Sequence, residues 1–325
     1  MVTRNHRVGV FNCQLPITKY QKGSFLVITL WLIAVLAMVA VALSRFLSTE
    51  TRLIRYYGAR AQARAWAEAG IRLGLQRLRE DTNVYDGLGE RWATPSPEDR
   101  EHPTKWIVSF PKGSVSITIT DEERRLNLNT ATEEMLTAFL GNAEAAKALV
   151  RYRSLEDEGA DQSMQPPYQP KNARLATLEE AFDIPAIRAS SHVQQLIKEQ
   201  GTVWTDAVNI NTASAEVLKT LVPGVEPGTI DQVVAARPGP NGQLGDDDDC
   251  VAVDRATGAN HLATCAGVGG EAIVTLLSSP RTVSSSVFRI HAEGETAQPM
   301  TRYQIEVIVK RQGEEEPVIL AWRER

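Results

Sequence analysis

The sequence predicts an α+β fold, with one long N-terminal helix lying on an antiparallel sheet that a large helical insertion interrupts. Three observations carry this expectation. An uncharged apolar run flows without a break into an amphipathic helix. Strand texture occurs in two places only, early and at the far end. The stretch between them is helical and contains an internal repeat. At 325 residues the chain is long enough for roughly two folding units. Its net charge of −5 and pI near 5.7 argue against a nucleic-acid footprint, which is normally basic.

From Ser24 to Ser44 no residue is charged, and Thr29 is the only polar side chain inside the run. About twenty such residues at a helical rise match a bilayer core. A cleaved secretory signal has a shorter apolar core and a small-residue cleavage site, whereas this run continues into Arg45-Phe46-Leu47. A plain signal anchor is the stronger rival. Arg4, Arg7, Lys19 and Lys22 precede the run, so the positive-inside rule places the N-terminus in the cytoplasm and exports the chain beyond Ser44.

No proline occurs from Ser44 to Glu80, and Leu47, Ile54, Tyr57, Ala61, Ala65, Ala69 and Leu73 recur at helical spacing. This pattern predicts one continuous helix to about residue 80, needing lipid for its first half and a packed domain for its second. Residues 81–103 are rich in Asp, Gly, Pro and Thr and read as loop. Trp106–Phe110 and Val115–Thr120 read as strands joined by Pro111-Lys112-Gly113. Strand texture returns at Ser286–Ala292, Thr301–Lys310 and Val318–Trp322, separated by Glu-Gly and Gln-Gly turns.

In the middle, Leu126-Asn127-Leu128-Asn129-Thr130-Ala131-Thr132-Glu133-Glu134-Met135-Leu136 is echoed by Val208-Asn209-Ile210-Asn211-Thr212-Ala213-Ser214-Ala215-Glu216-Val217-Leu218. Thr130 with Glu133 forms a capping-box pattern, and Thr212 is the corresponding cap. Asparagines in this position ordinarily satisfy local backbone groups. Leu221-Val222-Pro223-Gly224-Val225 and the helix after it are similar to a helix-hairpin-helix, which holds a DNA phosphate. That function needs positive potential, yet Glu226 and Glu144 abut the two hairpins. A membrane-anchored, exported helix-hairpin-helix DNA-binding protein is therefore the alternative from another class, and no nucleic-acid partner is expected.

Cys13 precedes the apolar run, while Cys250 and Cys265 lie in the exported part, where disulfides persist. Those two form a pair or stand as two free thiols. No Gly-rich phosphate loop, His-Glu-x-x-His or nucleophile elbow occurs, and His192, His261 and His291 are scattered singly. Catalysis is not expected.

Taken together, the chain resembles the type II secretion minor pseudopilin K family. The resemblance is carried by Lys22-Gly23-Ser24-Phe25, Ala67-Glu68-Ala69-Gly70-Ile71, Asp121-Glu122 before Leu126–Thr130, Pro166–Asn172 leading to Leu178-Glu179-Glu180, Val208–Thr212, Phe288-Arg289-Ile290 and Trp322-Arg323. It implies a pilin-like helix on a sheet with an inserted SAM-like or helix-hairpin-helix-like domain. The implied divisions are a leader (1–23), a membrane span (24–44), a continuing helix (45–80), a β domain (81–120 and 280–325) and an insertion (121–279). It implies prepilin-peptidase cleavage after Gly23 and N-methylation of Ser24. Ile28 stands where ordinary pilins carry a Glu that pairs with a neighbour's terminal amine. An unpaired carboxylate there is costly in lipid, so its loss fits a tip subunit.

Implied partners are other minor pseudopilins, the major pseudopilin, the peptidase and the inner-membrane secretion apparatus. A minor pilin of a related type IV pilus system is the near alternative. The leader is longer than that family's short basic leaders, and no other methionine occurs before Met38. Family members have bound calcium, for which Asp246, Asp247, Asp248 and Asp249 are the first candidate ligands and Glu156, Asp157 and Asp161 the second.

Overall fold

The computed structural model describes residues 22–96, 101–154, 171–254, 258–278, 281–313 and 315–325. Compact units lie on either side of a division after Gly58. Helix α1, Lys22–Glu80, is continuous through that division. In the first unit Phe25, Trp31, Leu36 and Phe46 on this helix are exposed. The helix is long and apolar enough to cross a membrane.

In the second unit α1 buries Ala63, Trp66, Ala67, Ile71 and Leu78 against a sheet. Ala61 and Ala65, expected on the packed stripe, are exposed, and Ala69 and Leu73 are only half-buried. The buried face is the one bearing Gly70 and Gly74. A Cβ on Gly70 would lie 2.8 Å from Val115 Cγ2, and one on Gly74 2.7 Å from Ile290 Cγ2. Missing side chains let the helix backbone sit against the strands, so glycine position decides which face packs.

Strand β1 (Trp106–Phe110) pairs antiparallel with β2 (Gly113–Asp121), whose apolar residues Val115, Ile117 and Ile119 face α1 by simple alternation. The chain then leaves the sheet for the insertion and returns beside the strand it left. The insertion begins with β3 (Leu126–Asn127), α2 (Glu133–Leu140) and α3 (Ala143–Arg153). After a 3-10 turn at Leu178–Asp183 come α4 (Pro185–Arg188), α5 (Ser191–Gln200) and β4 (Gly201–Thr202), which pairs parallel with β3. The second half repeats the plan with β5 (Val208–Asn209), α6 (Ala215–Leu221), α7 (Pro227–Ala236), α8 (Gly258–Ala266), α9 (Gly270–Leu276) and β6 (Arg281–Thr282), parallel to β5.

Strands β7 (Val287–Ala297), β8 (Met300–Lys310) and β9 (Val318–Glu324) complete an antiparallel sheet of order β1-β2-β7-β8-β9. Asp121 faces Phe288, so both ends of the insertion meet at one pole of the sheet. The Glu293-Gly294 pair, expected as a turn, lies inside β7, and the turn is at Gln298-Pro299. Gly294 is there for clearance, since a Cβ would sit 2.1 Å from the Ala63 carbonyl oxygen.

The internal repeat is structural down to single atoms. Asn127 Oδ1 accepts from Asn129 N (2.7 Å), and Asn209 Oδ1 from Asn211 N (2.9 Å). Asn129 clamps both backbone groups of Leu175, and Asn211 those of Ala252. Arg153 donates to the carbonyls of Leu128 and Ala131, and Arg237 to that of Ile210. The caps differ from expectation. Thr132 and Ser214, two positions later, accept from Met135 N and Val217 N. Backbone turns from Asn127 to Ala131 and from Asn209 to Ala213 delay both helices. Each half contributes to one continuous apolar core that is separate from the helix-on-sheet core.

Candidate functional site: a buried joint and two acidic clusters

Three consecutive acids, Asp121, Glu122 and Glu123, lead from β2 into the insertion, and all are buried. Asp121 accepts from Thr212 Oγ1 (2.5 Å), Ser285 Oγ (2.7 Å), Asn209 Nδ2 (3.4 Å) and Glu123 N (2.7 Å). Glu122 accepts from Arg289 Nε (2.6 Å) and Thr202 Oγ1 (2.7 Å). Glu123 takes the Ser286 amide (2.9 Å) and hydroxyl (2.7 Å). Three neighbours in sequence thus tie together both repeats, the returning chain and β7. Thr212 serves this joint instead of capping α6.

Their environments split their acidity. Burial pushes Asp121 up to about 7, its hydroxyl donors opposing the rise. Burial also acts on Glu122, but the Arg125 and Arg289 guanidinium groups outweigh it and hold the carboxyl below its usual range. Burial raises Glu123. A low-dielectric network is strong only when its members are satisfied, and here the acids are.

Beside the joint, Arg311 donates to Asp81 Oδ2 (2.7 Å), Asp86 Oδ2 (2.6 Å) and the Ser285 carbonyl (2.8 Å). Asp81, Asp86 and Glu90 can each offer a carboxylate oxygen, all within 4.8 Å of one another. Asp86 is fully buried and its Oδ1 has no partner. Burial pushes Asp86 and Glu90 up to about 7. Three acids against one guanidinium, with an orphaned buried oxygen, suit a hard divalent cation. From sequence this stretch reads only as loop. Its visible signal is three acids at close spacing among glycines.

The expected cluster is only partly assembled. Asp246, Asp248 and Asp249 converge within the same 4.8 Å limit, and Asp247 stands outside the group because four consecutive residues cannot share one focus. Asn241 Nδ2 donates to Asp246 (2.6 Å) and Asp248 (3.0 Å). Asp246 and Asp248 hydrogen-bond to each other, which lowers the first and raises the second. Glu156, Asp157 and Asp161 lie outside the described residues. Cys250 and Cys265 are joined, with Cα atoms 6.0 Å apart. Gly23 and Ser24 fall in the first turn of α1, and Ile28 is exposed. Ile54, Tyr57, Ala61 and Ala65 are all exposed on α1.

The second repeat carries a family match. Residues 208–264, from β5 into α8, match the family described as Type II secretion system (T2SS), protein K. Residues 22–72 separately match the family described as PilX N-terminal. No curated protein matches the chain. Among solved structures, it is similar to a chain of the crystal structure of the GspK-GspI-GspJ complex from the enterotoxigenic Escherichia coli Type 2 Secretion System. The TM-score is 0.59 at 16% identity, covering 85% of this chain and 99% of that one. The fold is therefore that of the solved chain. The protein K match includes the Asn209 and Asn211 clamps and the Asp246 cluster, which places the family signature on structural side chains.

Proposed function

We propose that this protein is a minor pseudopilin that heads a type II secretion pseudopilus. The insertion carries the reading. It stands at the pole of the sheet toward which α1 runs C-terminally, because Gly70 lies over Val115 and Gly74 over Ile290 as β2 approaches Asp121. A bulky two-repeat domain there obstructs a further subunit stacking on that end. Ile28 offers no carboxylate to a neighbour's terminal amine, which also suits a first subunit.

In this reading the chain spans the inner membrane once, with the main domain in the periplasm, after peptidase cleavage at Gly23 and methylation of Ser24. It acts by packing rather than catalysis, and its partners are two other minor pseudopilins. Calcium, where present, would be held by Asp81, Asp86 and Glu90 in preference to the Asp246 group. There Asp249 Oδ1 also has no partner among the described residues, but Asp246 and Asp248 are exposed and share the Asn241 amide.

The test is co-purification of residues 45–325 with partner minor pseudopilins, followed by light scattering. A heteromeric complex is expected, and Ala61→Glu should weaken it by placing a charge on the exposed apolar stripe. Those side chains are worth several kcal/mol before association costs, at roughly 25 cal/mol per Å² buried. A stable homopolymer, or no affinity for the partners, would overturn the proposal.

A further inference from the structure

The first unit carries a charge pattern that a membrane span alone does not explain. Exported flanks ordinarily avoid Lys and Arg. Here Arg45, Arg52, Arg55, Arg60 and Arg64 come after the apolar run, and the only carboxylate between Lys22 and Ala67 is Glu50. Arg64 is engaged by Glu68 and Glu324, and Arg60 lies over the Tyr303 ring. Arg45, Arg52 and Arg55 have no such duty among the described residues.

Geometry groups these three. At 100° per residue, Arg45, Arg52 and Arg55 fall within about 80° of one another, while Glu50 lies about 140° round the helix from Arg45. Arg45 directly adjoins the run, and Arg52 and Arg55 stand about 12 Å and 16 Å past its end. Helical side chains tilt toward the N-terminus, so these cations reach back toward the headgroup layer. A shallow groove leads to Arg52 and Arg55, lined below them by Ala40, Leu43 and Leu47. The Ser48 and Thr51 hydroxyls on its wall donate to the carbonyls of Ser44 and Leu47 (2.8 Å each). That leaves Arg52 and Arg55 as its free donors.

We infer that this groove is a binding site for one anionic phospholipid, its acyl chain along Ala40, Leu43 and Leu47 and its phosphate at Arg52 and Arg55. The inference rests on the membrane-anchor reading. It gives the exported arginines a function as a lipid tether, which a subunit must release before it can leave the bilayer.

The full-length chain is purified in mild detergent with equal phosphatidylglycerol and phosphatidylcholine, and retained lipids are counted by native mass spectrometry. Phosphatidylglycerol should be retained about tenfold or more over phosphatidylcholine. The preference should vanish in R52Q/R55Q and persist in R52K/R55K and in R72Q/R79Q. Equal retention by the wild type overturns the site, as does a preference that survives the double Gln change. So does displacement of the lipid by inorganic phosphate alone. If the double Gln variant loses partner pseudopilins instead of lipid, the face is a protein interface and the inference fails. Alkaline carbonate extraction reports the anchor separately, so failure of that reading is distinguishable.

Discussion

Asp121 and Glu122 are adjacent and equally buried, yet their acidities move in opposite directions. Glu122 faces two guanidinium groups, whereas Asp121 faces hydroxyls and amides. A carboxyl raised from its ordinary value of about 4 to about 7 binds a proton in the folded state that the unfolded state has released. Its stabilising contribution is full below about pH 4 and is lost as pH rises through about 7. Asp86 adds in the same sense. Urea unfolding of residues 59–325 should therefore give lower stability at pH 8 than at pH 5, and Asp121→Asn should flatten the slope. Equal slopes would show that Asp121 titrates normally. At this scale the Asn pairs were legible, because a repeated N-x-N before a helix has few other uses. Asp121-Glu122 was visible without a role, since its partners Thr212 and Ser285 are far away in sequence.

The strands were legible as elements from their period-2 alternation, but the sequence pattern stops β7 at Ala292 because Glu293-Gly294 looks like a turn. The packed face of α1 was not legible. Alanines at 61 and 65 look like those at 63 and 67, and only the sheet's need for close approach separates them. Two glycines in the same helix should behave oppositely. Gly74→Ala puts a methyl 2.7 Å from Ile290 Cγ2 and should cost roughly 1–3 kcal/mol through overpacking. Gly58→Ala meets nothing within 4 Å and should strengthen the helix by roughly 0.5–1 kcal/mol. Helix hydrogen exchange and thermal melts of the full chain decide this, and the same sign at both positions would contradict the packing.

For the whole molecule, the split of the sheet by a helical middle was readable from texture alone. The two-residue strands β3 to β6 were not, because their pairing spans entire repeats. Nor was the acidic trio at Asp81, Asp86 and Glu90, whose convergence depends on how the loop closes on Arg311. Maturation also belongs to this scale. On the proposed cleavage after Gly23, in the first turn of α1, Gly23→Val should leave the precursor uncut when the peptidase is co-expressed. Intact mass reads the outcome, and an N-terminus at residue 1 for the wild type with the peptidase would leave only a signal anchor.

The pairing of Asp121 with Phe288 imposes an order on events in time. The two central strands are separated by the entire insertion, and closing so long a loop is entropically slow. Once both repeats have folded, their ends stand together and β2 meets β7 as though joined by a short hairpin. The chain must then acquire structure from its middle outward. Pulse-labelling exchange during refolding should protect amides in α2 and α6 before those in β7. Protection of β7 first would mean that the sheet closes around an unfolded insertion.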